Sequence, residues 1–466
     1  MLETVRVGIP YYKNVLPWTY TTNWNTLSVL NLFAEPLVRS FDGKLWPGLA
    51  QSWQVYDKGR RWVFSLRPKA TFHDGLPCTM MDVMACIEIA KDQVDELGIP
   101  SPLPHYLQNL EFNLIDRQTI EVVSDEPNGD IADFLSEILI CKKNRSNEFV
   151  IGTGNYKFFD YVSKRSLRLR KIGDTKRFSA YKEIMFKIIP DAEERFDALR
   201  RGKVDYITDL QNLPYRPEEE DFHWFRTNGS LSIFCHLNGT KKPFCFPEAR
   251  RAINMAIDVE GLIQQVFHGN GIPAATVVSP YHCGFESSIK PIPYNPGEAK
   301  RLFGLIDMPE ELIIKAPLDI PKGADKIAEY ISEQLALIGI NSRIEIQSNR
   351  QQYAYEIMRK EIGDIAIASS SMHSTFRILA DKISSEEKGN WWQGIVDFEV
   401  DKLINAANRE SDITTRERKY AAALQHLNKN PQWLYLFHPI LVSASRPEVE
   451  GIQLLHRGVL RFPGSW

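Results

Sequence analysis

Hydrophobic and polar residues alternate in several short stretches of the first half of the chain. In "RRWVFSLRP", Arg60 to Pro68, the side chains of Trp62, Phe64 and Leu66 fall on one side of an extended segment. "KRSLRLRKI", Lys164 to Ile172, repeats the pattern with Leu167 and Leu169. A period of two predicts strands that bury one face. Val5, Val7 and Ile9 alternate in the same way, so a strand is expected at the very start. "PDAEERFDALRRGKVDYI", Pro190 to Ile207, changes to a helical period. It opens on a Pro-Asp start signal, carries Phe196 and Leu199 on one face and stops at Gly202 before a strand Val204 to Ile207.

From Pro247 the helices lengthen. "PEARRAINMAIDVEGLIQQVFHG" sets Ala249, Ile253, Ala256 and Ile257, then Leu262, Ile263 and Val266, on apolar stripes, with Gly269 as the stop. "ELIIKA" reads as a strand, "GADKIAEYISEQLALIG" as a helix with Ile327, Ile331, Leu335 and Ile338 inward, and "INSRIEI" as the next strand. A strand, helix, strand run predicts a parallel pair with a right-handed crossover, hence an α/β region. No repeat, low-complexity segment or long linker interrupts the chain.

At 466 residues the chain exceeds one ordinary core, so two or three domains are expected. Hydrophobic residues at 43% and charged residues at 25% describe a folded protein. A formal charge of −3 gives no electrostatic reason to expect nucleic acid or an anionic membrane as partner. The basic run "RKIGDTKR", Arg170 to Arg177, reads as a solvated face. No window holds the roughly 18 apolar residues of a membrane span, and "MLETVRVGIP" has neither a basic n-region nor an apolar h-region. The chain is therefore expected to begin inside the fold, as it would after loss of a signal peptide and addition of a start Met.

Six cysteines, at 78, 86, 141, 235, 245 and 283, are compatible with an oxidising compartment. Cys78 and Cys86 bracket a helix whose Thr79 and Asp82 make a capping box, and eight helical residues span about 12 Å, too far for a disulfide. Cys235 and Cys245 flank the turn-rich "HLNGTKKPF" and are either bridged or buried thiols.

Chemistry-bearing motifs are missing. There is no Walker loop, G-x-S-x-G elbow, H-E-x-x-H or C-x-x-C. The glycines of "IGTGNYKFF", Ile151 to Phe159, lead into a strand and lack the helix N-terminus that cradles phosphate. His73 and Asp74 in "TFHDGLP" read as an Asp-Gly turn before they read as an acid-base pair. His282 and Cys283 are adjacent, which makes it awkward for both to meet one metal ion. The chain is not expected to be an enzyme, and no cofactor is called for.

An ordered set of short motifs then carries a resemblance. "FAEPLVRSFDGKLWPGLAQSWQVYDKGRRWVFSLRPKATFHDGLPCTMMDVMACIEIAKD", Phe33 to Asp92, resembles the N-terminal signature of the family 5 extracellular solute-binding proteins, the oligopeptide, dipeptide and nickel-binding group that serves ABC importers. "GTGNYKF" from Gly152, "YKEIMFKIIPDAEERFDALRRGKVDY" from Tyr181 and "LNGTKKPFCFPEARRAINMAIDVEGLI" from Leu237 follow in the family's order. So do "YNPGEAKRLF" from Tyr294 and "PQWLYLFHPILVSASRPEVEGI" from Pro431. The resemblance implies an α/β fold: a two-lobed periplasmic-binding-protein clamshell, type II and cluster C-like, with mixed sheets and an extra subdomain in the first lobe. It implies lobe I from residues 1–237 and 440–466, with the additional subdomain at roughly 45–165, and lobe II from 238–439. Hinge crossings are then expected near 236–239 and 438–441.

The function implied is capture of a small solute between the lobes by hinge closure and delivery to a membrane permease. In the family's peptide-binding members, the segment after the strand that "GDIAIA" resembles carries an Asp for the peptide's α-ammonium. Here it reads "SSSMHSTF", and no carboxylate stands between Asp364 and Asp381. A buried ammonium without a counter-charge is costly. The expected ligand is therefore a sugar conjugate, an opine or a metal chelate in preference to a standard free-amino peptide.

Ser370, Ser371, Met372, His373 and Ser374 are the expected wall of the site, with His373 a possible metal ligand if a chelate binds. Arg377, one helical turn on, either neutralises an anionic ligand or pairs with Asp381 at the surface. "NWWQG" resembles the family's segment at the mouth of the site. Two tryptophans in an extended stretch face opposite ways, so at most one of Trp391 and Trp392 meets ligand. Tyr11, Tyr12 and Trp18, after the first strand, either face ligand or pack in the core.

The partners expected are a small-molecule ligand and ABC permease membrane subunits, with no nucleic acid, for a monomer in the periplasm or lipid-anchored outside the cell. The alternatives are an oligopeptide or dipeptide receptor, and the cytoplasmic solute-sensing domain of a transcription regulator, which would require a helix-turn-helix and a basic patch not seen here.

Overall fold

A computed structural model describes residues 3–41, 43–95, 98–143, 150–173, 181–214, 221–318, 321–370 and 374–465. The chain divides into two compact units, Met1–Thr227 with Leu441–Trp466, and Asn228–Ile440.

In the first unit the strand Thr4–Ile9 buries Val5, Val7 and Ile9 completely and runs parallel to both Glu183–Ile188 and Tyr206–Ile207. The hairpin Tyr156–Val162 with Ser166–Lys171 extends this sheet, and Leu167 and Leu169 enter its core as their alternation predicts. The helix Ala192–Arg200 starts at Asp191, whose carboxylate accepts the Glu194 N–H at 2.9 Å. Phe196 and Leu199 are buried, and Gly202 ends the turn at φ +64°, where a side chain would be strained. The strand beyond it is shorter than the expected Val204–Ile207. Tyr206 and Ile207 pair in register with Val7 and Gly8, and ahead of them Asp205 binds Arg6 twice, its backbone N–H to Arg6 O at 2.7 Å and its carboxylate accepting the Arg6 N–H at 2.8 Å.

A separate antiparallel sheet of the first unit has the order Ala50–Tyr56, Arg61–Leu66, Thr119–Ser124, Leu110–Leu114. Trp62, Phe64 and Leu66 point inward on alternate positions of its second strand. The helix Met80–Ala90 beside it begins with the Thr79 and Asp82 capping box. Among the described residues all six cysteines are free thiols, Cys235 buried and Cys245 exposed.

The second unit is built on a mixed sheet. Ser232–Leu237 lies antiparallel to both Ile365–Ser370 and the first part of Trp433–Ser445, while Ile365–Ser370, Leu312–Pro317 and Ser342–Gln347 run parallel. The helix Ala324–Leu337 makes the expected crossover, lies against the strands Leu312–Pro317 and Ser342–Gln347, and buries Ile327, Ile331 and Leu335 in the core that also holds Leu312, Ile314 and Ile365. One expectation changes: "PEARRAINMAIDVEGLIQQVFHG" is two helices, Pro247–Ala256 and Val259–Phe267. Ile257 is extended, and the Asp258 carboxylate caps the second helix by accepting the Gly261 N–H at 2.9 Å. That helix ends at His268 in the left-handed region, one residue ahead of Gly269.

Candidate ligand-binding site

The strand Ile365–Ser370 is anchored at its start. Gly363 takes φ +67°, and a Cβ there would lie 2.7 Å from the Ile313 side chain. Asp364 is buried, accepting the Ile313 N–H at 2.7 Å and pairing with Lys241 at 2.9 Å, so its carboxylate belongs to the scaffold. Ile365 and Ile367 enter the core, which turns Ala366 and Ser370 to the opposite face.

Ser370 is buried directly across from Ser232, and its hydroxyl has no hydrogen-bond partner among the described residues. Ser232 donates to Val277 O at 3.0 Å and lies 3.1 Å from His438 Nδ1. Burial pulls His438 down to about 4, so its imidazole is uncharged at neutral pH. Ser371, Met372 and His373 lie outside the described residues. Ser374 is the N-cap of the helix Thr375–Lys382, its hydroxyl accepting the Arg377 N–H at 3.2 Å. The next residue, Thr375, ties the helix start to Cys283 O at 2.7 Å.

Every residue of Thr375–Lys382 is buried. A surface pair between Arg377 and Asp381 is therefore ruled out, since Arg377 is 1% exposed and Asp381 5%. Their burial follows from apolar residues at Phe376, Ile378, Leu379, Ala380 and Ile383, which leave no polar side to the helix.

"NWWQG" is a turn, not an extended stretch, closed by the Trp392 N–H to Gly389 O at 3.0 Å. Trp391 packs against Tyr353, Ile357, Ile362 and Ala366, with the Lys382 ammonium 4.9 Å from its ring centre. Trp392 donates from its indole to Ile395 O at 2.8 Å and faces Lys360 at 5.3 Å. The two indoles thus have separate surroundings. In the first unit Tyr11 is 39% exposed, Tyr12 lies in the core edge-on to Tyr161 at 5.9 Å, and Trp18 packs against the cluster of Leu30 and Phe33.

Sequence reasoning missed Lys382 and its neighbour His236. The available signal was the all-round apolar pattern of the helix, which buries whatever polar residue it carries. Among the described residues no group of three His, Cys, Asp or Glu is placed to hold a metal ion, and no helix is long and apolar enough to cross a membrane.

These two units, with a mixed α/β sheet in each, have the fold of the two-lobed periplasmic binding proteins. A peptide-complexed example is the ABC transporter-associated periplasmic binding protein DppA from Helicobacter pylori, which matches with a TM-score of 0.81 at 22% identity over 98% of this chain and 96% of that one. The binding protein AgaA from A. tumefacien R10, solved with agropinic acid, matches at 0.79 and 20% identity, covering 98% of both chains. The sequence profile of the bacterial extracellular solute-binding proteins, family 5 Middle, matches residues 44–375, and the chain belongs to that family. Among characterised relatives, di/tripeptide-binding protein 1 of Pseudomonas aeruginosa (strain UCBPP-PA14) is 26% identical, over 90% of this chain and 85% of its own length.

Proposed function

We propose that this protein is the solute receptor of an ABC importer, acting outside the cytoplasmic membrane by binding alone and handing its solute to a membrane permease after hinge closure. Membership of the extracellular solute-binding family over residues 44–375 carries this reading. A ligand that contacts a closed form better than an open one shifts the population toward closure by its differential affinity, which supplies the signal a permease reads.

The solute is a sugar conjugate, an opine or a metal chelate. In support, no carboxylate stands from Ile365 to Ala380, and the helix that follows the serines carries Arg377 and Lys382 into the interior together with Asp381. A peptide's α-ammonium would meet cations there. Ser370, Ser371, Met372, His373, Ser374, Arg377, Trp391 and Trp392 remain the residues proposed for the second lobe's share of the site, and Tyr11, Tyr12 and Trp18 for the first's. A second reading, uptake of di- or tripeptides, draws its support from the named activity of the Pseudomonas relative.

Native mass spectrometry of freshly purified protein, set against its denatured mass, tests the proposal. A retained sugar conjugate, opine or chelate is the expected result, and a retained free-amino peptide would overturn the ligand assignment in favour of the second reading. If neither a retained mass nor a solute-induced thermal shift is found, the receptor reading fails.

A further inference from the structure

The strand Ser232–Leu237 sends Ile233, Cys235 and Leu237 into the main core of the second unit, so Ser232, Phe234 and His236 face the other way. On that face His236 is the direct cross-strand partner of Ala366 on one side and of Trp433 on the other. Its imidazole meets the Trp433 ring edge-on at 5.5 Å and the Phe234 ring at 5.0 Å. Trp391 covers Ala366 and carries the Lys382 ammonium over its own ring. The Trp391 backbone N–H also bonds to Asp381 O at 3.3 Å, which holds this turn against the end of the helix. An imidazole, an indole and an ammonium therefore converge around one alanine, from three separate parts of the chain.

Two of these groups are incompletely satisfied. His236 is 1% exposed, and its Nδ1 is buried with no hydrogen-bond partner among the described residues. Lys382 is 6% exposed, and among the described residues its ammonium rests on the Trp391 ring without a hydrogen bond. The groups facing it are the charged Asp381 and Arg377 of its own helix and, from the strand, the imidazole of His236, which burial keeps neutral. Burial pulls Lys382 down to about 8, with Asp381 opposing and Arg377 adding to the shift. An ammonium in such surroundings is stabilised by an anion that replaces the water it has lost.

We propose that Lys382, His236 and Trp391 form a carboxylate-recognition site inside the second unit, which restricts the protein to acidic solutes. Lys382 donates one hydrogen bond to the carboxylate and the imidazole N–H of His236 a second, while the Trp391 ring packs against the solute's adjoining carbon. This deepens the receptor reading above and rests on it.

Thermal unfolding of the purified protein tests the site with matched probes: acetate against acetamide, gluconate against glucose, and inorganic phosphate. The proteins compared are the wild type, Lys382→Met, Lys382→Arg and His236→Gln. Met keeps the stem of the lysine and removes a buried charge, so the variant is expected to fold. Acetate and gluconate should raise the melting temperature of the wild type, their neutral partners should not, and Lys382→Met should weaken binding of the acids at least ~tenfold, the loss of one charge-assisted hydrogen bond. Lys382→Arg should recover part of that loss, and His236→Gln should show a smaller one. Equal shifts in wild type and Lys382→Met, or equal shifts from acid and neutral partner, overturn the inference and leave the receptor reading standing. A phosphate shift that the acids do not share, lost in Lys382→Met, overturns the carboxylate assignment. If no probe shifts the wild type, the inference also fails, while a mass retained in native spectrometry still upholds the receptor reading.

Discussion

The rings of Phe234 and Trp433 stack with centroids 3.7 Å apart and planes 10° from parallel, bridging two neighbouring strands of the second unit. Trp433 is among the largest fully buried side chains of the protein. Cross-strand aromatic pairs add to the area they bury, and the space left by truncation is only partly refilled. Trp433→Ala should cost about 3–5 kcal/mol of stability, and Phe234→Ala a similar amount. Urea unfolding of the single and double variants checks this. Because the rings touch, the double variant should lose less than the sum of the two.

His73 should make the first unit sensitive to acid. Its Nδ1 accepts the Gly152 N–H at 3.3 Å, and its Nε2 lies 3.0 Å from Gly154 O, an arrangement that only the neutral Nε2–H tautomer satisfies. Burial pulls the group down to about 4. The unfolded chain takes up a proton below the ordinary value of about 6.5 while the folded chain does not. Stability should therefore fall as pH drops from about 6.5 toward 4, a loss that His73→Gln should reduce when melting temperatures are compared across that window. The turn it grips has no room for change: a Cβ on Gly152 or Gly154 would sit 2.0 or 2.3 Å from a backbone oxygen of the helix end at Phe33 and Leu32. Gly154→Ala should accumulate as insoluble protein.

Elements whose periodicity reports burial on one face were legible in the chain. Arg61–Leu66, Ser166–Lys171, Ala192–Arg200 and Ala324–Leu337 all fold as their patterns predict. The capping box of Thr79 and Asp82 was legible too, since it needs only residues close in sequence. The break at Ile257 and Asp258 was hidden because apolar stripes continue across it, although Asp258 is itself a start signal. Ser374 was read as a ligand contact, yet its position before an apolar run also suits the helix cap that it forms. The proximity of His236 to Lys382 had no local signature. It arises from strand register and from a turn that folds Trp391 back onto Ala366, and register between distant strands is set by tertiary packing.

A single carboxylate holds two guanidiniums in the first unit. Glu35 Oε1 accepts from Arg39 at 2.5 Å and from Arg67 at 2.9 Å, and its Oε2 accepts from Arg67 at 2.5 Å. Arg39 and Glu35 are both buried, so water cannot replace the lost charge. Glu35→Gln preserves shape and removes the charge, which should cost about 3–5 kcal/mol, the range for breaking a buried pair. Arg67→Gln, at the more exposed partner, should cost less. Denaturant titration of the two variants gives the order, and a larger loss from Arg67→Gln would contradict the view that burial sets the scale.

Lys382 should limit stability at neutral pH. Its amine titrates near 8 in the folded protein, against an ordinary value of 10.5. Between those values the unfolded chain holds the proton and the folded chain releases it, so stability rises with pH from about 8 to 10.5, and below about 8 the full cost is present. At 1.36 kcal/mol for each unit, that cost is about 3 kcal/mol. Other lysines and tyrosines titrate in the same range, so the informative quantity is the difference between the wild type and Lys382→Met. The methionine variant should be the more stable of the two near neutral pH, and the gap should narrow as pH rises through this window. Urea unfolding of both proteins from pH about 7 to about 10.5 measures it. A gap that stays constant with pH would mean that Lys382 keeps its proton throughout the window, held by an anion or a carboxylate partner strong enough to offset its burial.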